Sequence, residues 1–144
     1  MPDPSRDHAK AQFDLVRAAL PENVDVYLAK VDKADADLRW PYLVLWPAPV
    51  SRVVDSADGY AGQVRTRTQI TGAGTTPDEV LAVLDRASAA LHCVTPAIPG
   101  RSCGWIRVDE DTFPSIVVDL ENKTYDGRDI YTGFIFAELT STLA

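Results

Sequence analysis

The sequence predicts an α+β domain, a mixed, mainly antiparallel sheet of about five or six strands with two helices packed on one face, in the order α-β-β-β-α-β-β-β. Three observations predict it. Residues 63–71, QVRTRTQIT, alternate strictly: Val64, Thr66, Thr68 and Ile70 point one way, and Gln63, Arg65, Arg67, Gln69 and Thr71 the other. A period of two in β-branched residues is a half-buried strand. Soon afterwards Thr76, Pro77 and Glu79 mark a helix start, as N-cap, first-position proline and capping-box glutamate. Finally, the strand-like segments come in runs between two well-separated helices, which is the α+β arrangement and not the βαβ one.

Taken in order, residues 4–20 form the first helix, capped by Asp3 or Ser5 and stopped by Pro21, with Ala9, Phe13, Val16 and Leu20 as its apolar face. Val24, Val26 and Leu28 then alternate with Asp25 and Tyr27 in a first strand. A polar connection, KVDKADADLRWP, leads to Tyr42–Trp46, bracketed by Pro41 and Pro47. Its continuous apolar character predicts burial on both faces. Residues 47–62, PAPVSRVVDSADGYAG, read as a long loop or arm carrying Arg52 and Tyr60, with Val50, Val53 and Val54 as apolar contacts. Loops of that length in compact domains are functional or ordered by a partner.

Gly72–Ala73–Gly74 reads as a flexible connection into the second helix, where Val80, Leu84, Ala87 and Leu91 recur at helical spacing and Leu81 widens the stripe. Asp78 and Glu79 suit the positive end of that helix. Strands are expected at about Cys103–Val108, Ser115–Leu120 and Ile130–Leu139, separated by turn-rich segments. In the last strand Ile130, Thr132, Phe134 and Phe136 share one face, and Tyr131, Ile135, Ala137 and Leu139 the other. Two helices cover only one face of a sheet, so an apolar second face asks for a cover, and another subunit is the obvious one. Residues 1–144 are expected to be a single domain.

Composition bounds the function. With 46% hydrophobic and 24% charged residues the chain is ordinary for a globular protein. Its formal net charge of -7 disfavours wrapping nucleic acid, because an acidic surface repels phosphate. No apolar run reaches the length of a bilayer span, and MPDPSRDHAK holds no apolar signal core, so a cytosolic protein without membrane contact is expected. Cys93 and Cys103 are too few for a disulfide framework and are expected to be reduced.

Chemistry is harder to find. The glycines before Thr76 lack the lysine of a phosphate loop, and Asp78 and Glu79 stand where phosphate would sit. His92 and Cys93 are adjacent and diverge on a helix, while His8 lies in an exposed-looking one, so a Cys–His enzyme is disfavoured. The acidic clusters Asp32–Asp35–Asp37 and Asp109–Glu110–Asp111 lack the pattern of a calcium loop and read as solvated turns. No catalytic residue, cofactor or metal site is expected. Arg65 and Arg67, with Gln63 and Gln69, are either a plain solvent face or a positive stripe that meets an acidic neighbour in an assembly.

The succession DVYLAKVDKADADLRWPYLVLWP, then QVRTRTQITGAGTTPDEVLAVLDRASAAL, then VTPAIPGRSCGWIRVDEDTFP resembles the tail terminator proteins of long-tailed, siphovirus-type bacteriophages. The resemblance covers most of the chain. It implies a small α+β domain that assembles into a hexameric ring on the last ring of the tail tube, stops polymerisation and offers the docking surface for head completion or connector proteins. It further implies a virion protein of the tail or neck, made in the host cytoplasm, whose lumen passes DNA without sequence-specific binding. No catalytic residue carries over. By this resemblance residues 47–62, with Arg52, Val53, Val54 and Tyr60, contact the tube or a neighbouring subunit. The alternatives are another neck or head-completion protein, a small cytosolic α+β enzyme or ligand-binding domain from a different class, and a structural adaptor unrelated to phage.

Overall fold

The computed structural model describes residues 3–52, 63–109 and 116–144, with Arg52 described by its backbone alone. In chain order the elements are α1 (Pro4–Ala19), β1 (Asp25–Leu28), a short 3-10 turn (Asp35–Asp37), β2 (Tyr42–Trp46), β3 (Ser51–Arg52), β4 (Val64–Gly74), α2 (Pro77–Leu91), β5 (Arg101–Cys103), β6 (Arg107–Val108), β7 (Val117–Lys123) and β8 (Asp129–Leu143). The α+β class and both helices stand as the sequence predicts.

The spine of the sheet is β4 against β8, antiparallel from Val64↔Ser141 to Gly74↔Tyr131. β2 and β3 follow one another along the other edge of β4, and β1 lies parallel to β2 outside them. The far edge of β8 is lined in turn by β7, β6 and β5. Every pairing but β1–β2 is antiparallel, so the sheet is mixed and mainly antiparallel. Two differences from expectation are local. The strand expected over Cys103–Val108 divides into β5 and β6, with the Gly104 N–H bonded to the Thr140 carbonyl between them. The start of the expected loop at 47–62 continues the edge of the sheet as β3; Val53, Val54 and Tyr60 lie outside the described residues.

The alternation of β4 comes out as predicted, with Val64, Thr66, Thr68 and Ile70 buried beneath the helices. Leu43, Val44 and Leu45 of β2 are also buried, as their continuous apolar run requires. Gly72–Ala73–Gly74 is not a flexible connection. It is the last stretch of β4, and the glycines are there because α2 lies directly on them. A Cβ at Gly72 would sit 3.2 Å from Leu84 Cγ, one at Gly74 3.2 Å from Val80 Cγ2, and one at Gly133 on β8 3.3 Å from Leu84 Cδ1. Close approach of helix to sheet selects glycine here, and turn flexibility does not.

Within α2 the buried stripe is Val80, Val83, Leu84, Ala87 and Leu91; Leu81, expected to widen it, is 49% exposed. The Thr76 hydroxyl accepts from the Glu79 N–H, as a cap should. The Glu79 carboxylate reaches one residue further back than a capping box predicts, accepting from the N–H and hydroxyl of Thr75. In α1 the cap is Asp3, which accepts from the Arg6 N–H.

The buried side of α1 differs most from expectation. His8, expected on an exposed helix, is fully buried, as is Gln12 one turn on. The imidazole is held at both nitrogens, Nδ1 at 2.8 Å from Thr66 Oγ1 and Nε2 at 2.6 Å from Ser141 Oγ. Arg101 Nε donates to the same Ser141 oxygen at 2.7 Å, which leaves the serine proton to serve Nε2. Burial, with Arg101 nearby and only Asp7 opposing, lowers the His8 pKa from 6.5 to about 4. Gln12 has no such network, and neither atom of its buried amide meets a hydrogen-bond partner among the described residues.

Two predictions come from this polar seam. Between pH 6.5 and about 4 the unfolded chain binds a proton that the folded chain refuses. Stability is therefore full above pH 6.5 and falls as pH drops toward 4, by up to roughly 3 kcal/mol. Urea melts across that window should show the slope in the native protein and a flatter one in His8→Asn; an equal slope in both would remove His8 as its source. Gln12→Leu should raise stability by about 1–2 kcal/mol by removing an unpaired buried amide, read as a higher urea midpoint, and an unchanged midpoint would mean that the amide is solvated in place.

Candidate assembly surface

The face of the sheet turned away from the helices is built by the odd residues of β4 and the even residues of β8. Register sets Arg65 beside Thr140, Arg67 beside Glu138, Gln69 beside Phe136 and Thr71 beside Phe134. Arg107 of β6 stands on the other side of Glu138. The expectation that the last strand is buried on both faces is met on the helix side by Ile135, Ala137 and Leu139, while Phe134 and Phe136 are only half-buried.

These side chains form a continuous patch. Phe134 and Phe136 meet edge to face with centroids 5.4 Å apart. The Arg67 guanidinium lies 4.0 Å from the Phe136 ring centroid and reaches Asp109 at 3.3 Å. Trp46 Nε1 and Gln69 Nε2 both donate to Thr71 Oγ1 at 3.2 Å. Stacking fixes Arg67 as a flat, preorganised cation over an aromatic pair, the kind of group enriched at protein interfaces.

Of the residues singled out in the sequence, Arg65, Arg67 and Gln69 share this face, and Arg65 is exposed. Gln63 precedes β4 and lines a shallow groove with Arg107, Thr140 and Trp105, which is 70% exposed. Arg52 pairs through its backbone with Val64. Val53, Val54 and Tyr60 cannot be placed on the surface, because they lie outside the described residues. Phe134, Phe136 and Trp105 were the residues that sequence reasoning did not assign to the site. The signal for the phenylalanines was present, since their spacing puts both on the face that two helices leave open.

Among solved structures, a chain described as "Virion of native gene transfer agent (GTA) particle" matches with a TM-score of 0.59. The two share a fold. The alignment covers 92% of this chain and 93% of that one at 13% sequence identity. No family model matches the sequence, and no curated protein does.

Other groups with chemical potential are engaged structurally. Asp25 is held to about pKa 2 by its hydrogen bond to Arg39, with Lys33 adding to it. Tyr27 donates to the same carboxylate, and burial with that charge pushes its hydroxyl up to about 12. Because Arg39 also donates to the Glu22 carbonyl, the cluster clips the polar connection after β1 onto the sheet edge. His92 Nδ1 accepts from the Val108 N–H, and Cys93 and Cys103 are free thiols. Among the described residues no three His, Cys, Asp or Glu side chains gather within range of one metal ion, and no helix is long and apolar enough to cross a membrane.

The two arginines should differ in their contribution to the isolated chain. Arg67→Ala should cost about 1 kcal/mol through the lost stacking and ion pair. Arg65→Ala should stay within about 0.5 kcal/mol of wild type, as exposed substitutions do. Equal midpoints for the two variants would contradict the stacked geometry.

Proposed function

We propose that this chain is a structural virion protein, the tail terminator of a phage-type tail. In this reading it forms a hexameric ring on the end of the tail tube, halts tube growth and presents the surface that docks to head completion proteins. The observation that carries the proposal is the match over nearly the whole chain to a chain of a gene transfer agent virion. Two features support it. Among the described residues no helix covers the second face of the sheet, which carries a fixed arginine over one of two paired phenylalanines. The net charge of -7 suits a ring through which DNA passes without sticking. The ring would be a virion component with no catalytic role.

Gln63, Arg65, Arg67 and Gln69 belong to the contact surface in this reading, facing the tube or a neighbouring subunit. Arg52, Val53, Val54 and Tyr60 are assigned to it from the sequence alone. Arg65 is the cleaner residue to change, because Arg67 also stabilises its own chain.

Light scattering of the purified protein, alone and with tail tube protein, tests the reading. A particle of about six subunits, alone or at tube ends, is expected, since a head-to-tail interface closes into a ring. Arg65→Glu should keep the circular dichroism spectrum and lower the yield of rings at tube ends, and wild-type yield there would remove Arg65 from the contact surface. A chain that stays monomeric and leaves tube length unchanged would overturn tail termination.

A further inference from the structure

Two apolar features outside the open face lie on opposite edges of the sheet. One is the hairpin of β7 and the start of β8. β7 pairs through Val117↔Thr132 and Val118↔Tyr131, then breaks register before Lys123↔Asp129. β4 ends at Gly74, opposite Tyr131, so the hairpin beyond that point extends past the strand that backs it. Leu120 there is 91% exposed and Tyr125 79%. With Val117 at 56% and Val118 at 37% on the same edge strand, Leu120 belongs to an exposed apolar stretch, the kind that marks a contact surface. Beside it, the Glu121 carboxylate has no partner among the described residues.

The other feature is a groove on the β1 edge, between α1 and the segment Pro47–Pro49. It is an open groove of about 760 Å³ lined by Phe13, Leu28, Ala48 and the two prolines, with Lys10 and Asp14 paired to each other along α1. Arg6 stands at its rim. Its backbone caps onto Asp3, while its guanidinium has no carboxylate partner among the described residues.

We propose that the hairpin of one copy docks in this groove of the next, with Leu120 between Phe13 and Ala48 and Glu121 against Arg6. The occupant is a second copy of this chain because knob and groove, and two charges of opposite sign that have no partner among the described residues, are all on one polypeptide. The two surfaces differ and lie at opposite edges, so the contact is heterologous and repeats head to tail, which is the arrangement that closes a ring. The docking leaves the open face with Arg67 and Phe136 free for a different partner. It rests on the ring reading above and assigns the subunit contact within it.

The test compares ring formation by light scattering, with and without tail tube protein, in variants that leave the core intact. Leu120→Asp removes the knob, and Ala48→Trp fills the groove. Each should lower the yield of rings about tenfold or more at fixed concentration, the size expected for a central apolar anchor, with circular dichroism unchanged. Glu121→Arg and Arg6→Glu should each weaken assembly, and the two together should restore it to within a few-fold of wild type. Wild-type rings from both Leu120→Asp and Ala48→Trp would overturn the docking and leave the ring standing. A double swap that fails to recover would overturn the Glu121–Arg6 contact and the assigned orientation. A wild-type chain that never assembles would overturn the docking and the ring together.

Discussion

The pairing of β4 with β8 is the constraint on which the rest of the molecule depends. It puts Gly72, Gly74 and Gly133 side by side, and the absence of side chains there lets α2 settle onto the sheet with Val80 and Leu84 in contact with the backbone. The same register gathers Thr66 and Ser141 beneath α1, and Arg67 and Phe136 on the opposite face. A slip of β4 by one residue against β8 would turn its side chains over, exposing Ile70 and driving Arg67 beneath the helices. One ladder of hydrogen bonds therefore decides both the core and the surface offered to a partner.

The two helices share one face of the sheet and are held to it differently. Under α2 the contact is apolar and close-packed. Under α1 it is partly polar, with a histidine satisfied at both nitrogens and a glutamine satisfied at neither. A buried, fully bonded imidazole specifies one position for the helix, because any displacement leaves hydroxyls and nitrogen unpaired. The unpaired amide beside it works against stability and does not help that specification.

Local signals in the sequence were enough for the class, both helices and the central strand. The alternation from Val64 to Ile70 and the cap at Thr76 depend only on near neighbours, so they could be read directly. What escaped depended on residues distant in the chain. Gly72 and Gly74 read as a turn because the reason for them is the approach of Leu84 and Val80 from another element. His8 read as exposed because its partners, Thr66 and Ser141, lie far away in sequence. The broken far edge was read as one strand, since nothing local marks Gly104 as a gap between β5 and β6. On the surface, the arginine stripe was legible from alternation; its stacking on Phe136 was not, because strand pairing alone brings the two together.

The bond between His8 and Ser141 spans a sequence separation of 133 residues and joins the first helix to the last strand. Thr66 supplies the bond to the other nitrogen, from a strand 58 residues away, so the imidazole is satisfied at both nitrogens only when three distant segments have met. Neither β4 nor β8 alone offers both hydroxyls, and the seat of His8 exists only once the two strands are paired in register. The environment of this one ring therefore reports whether the central ladder has formed correctly.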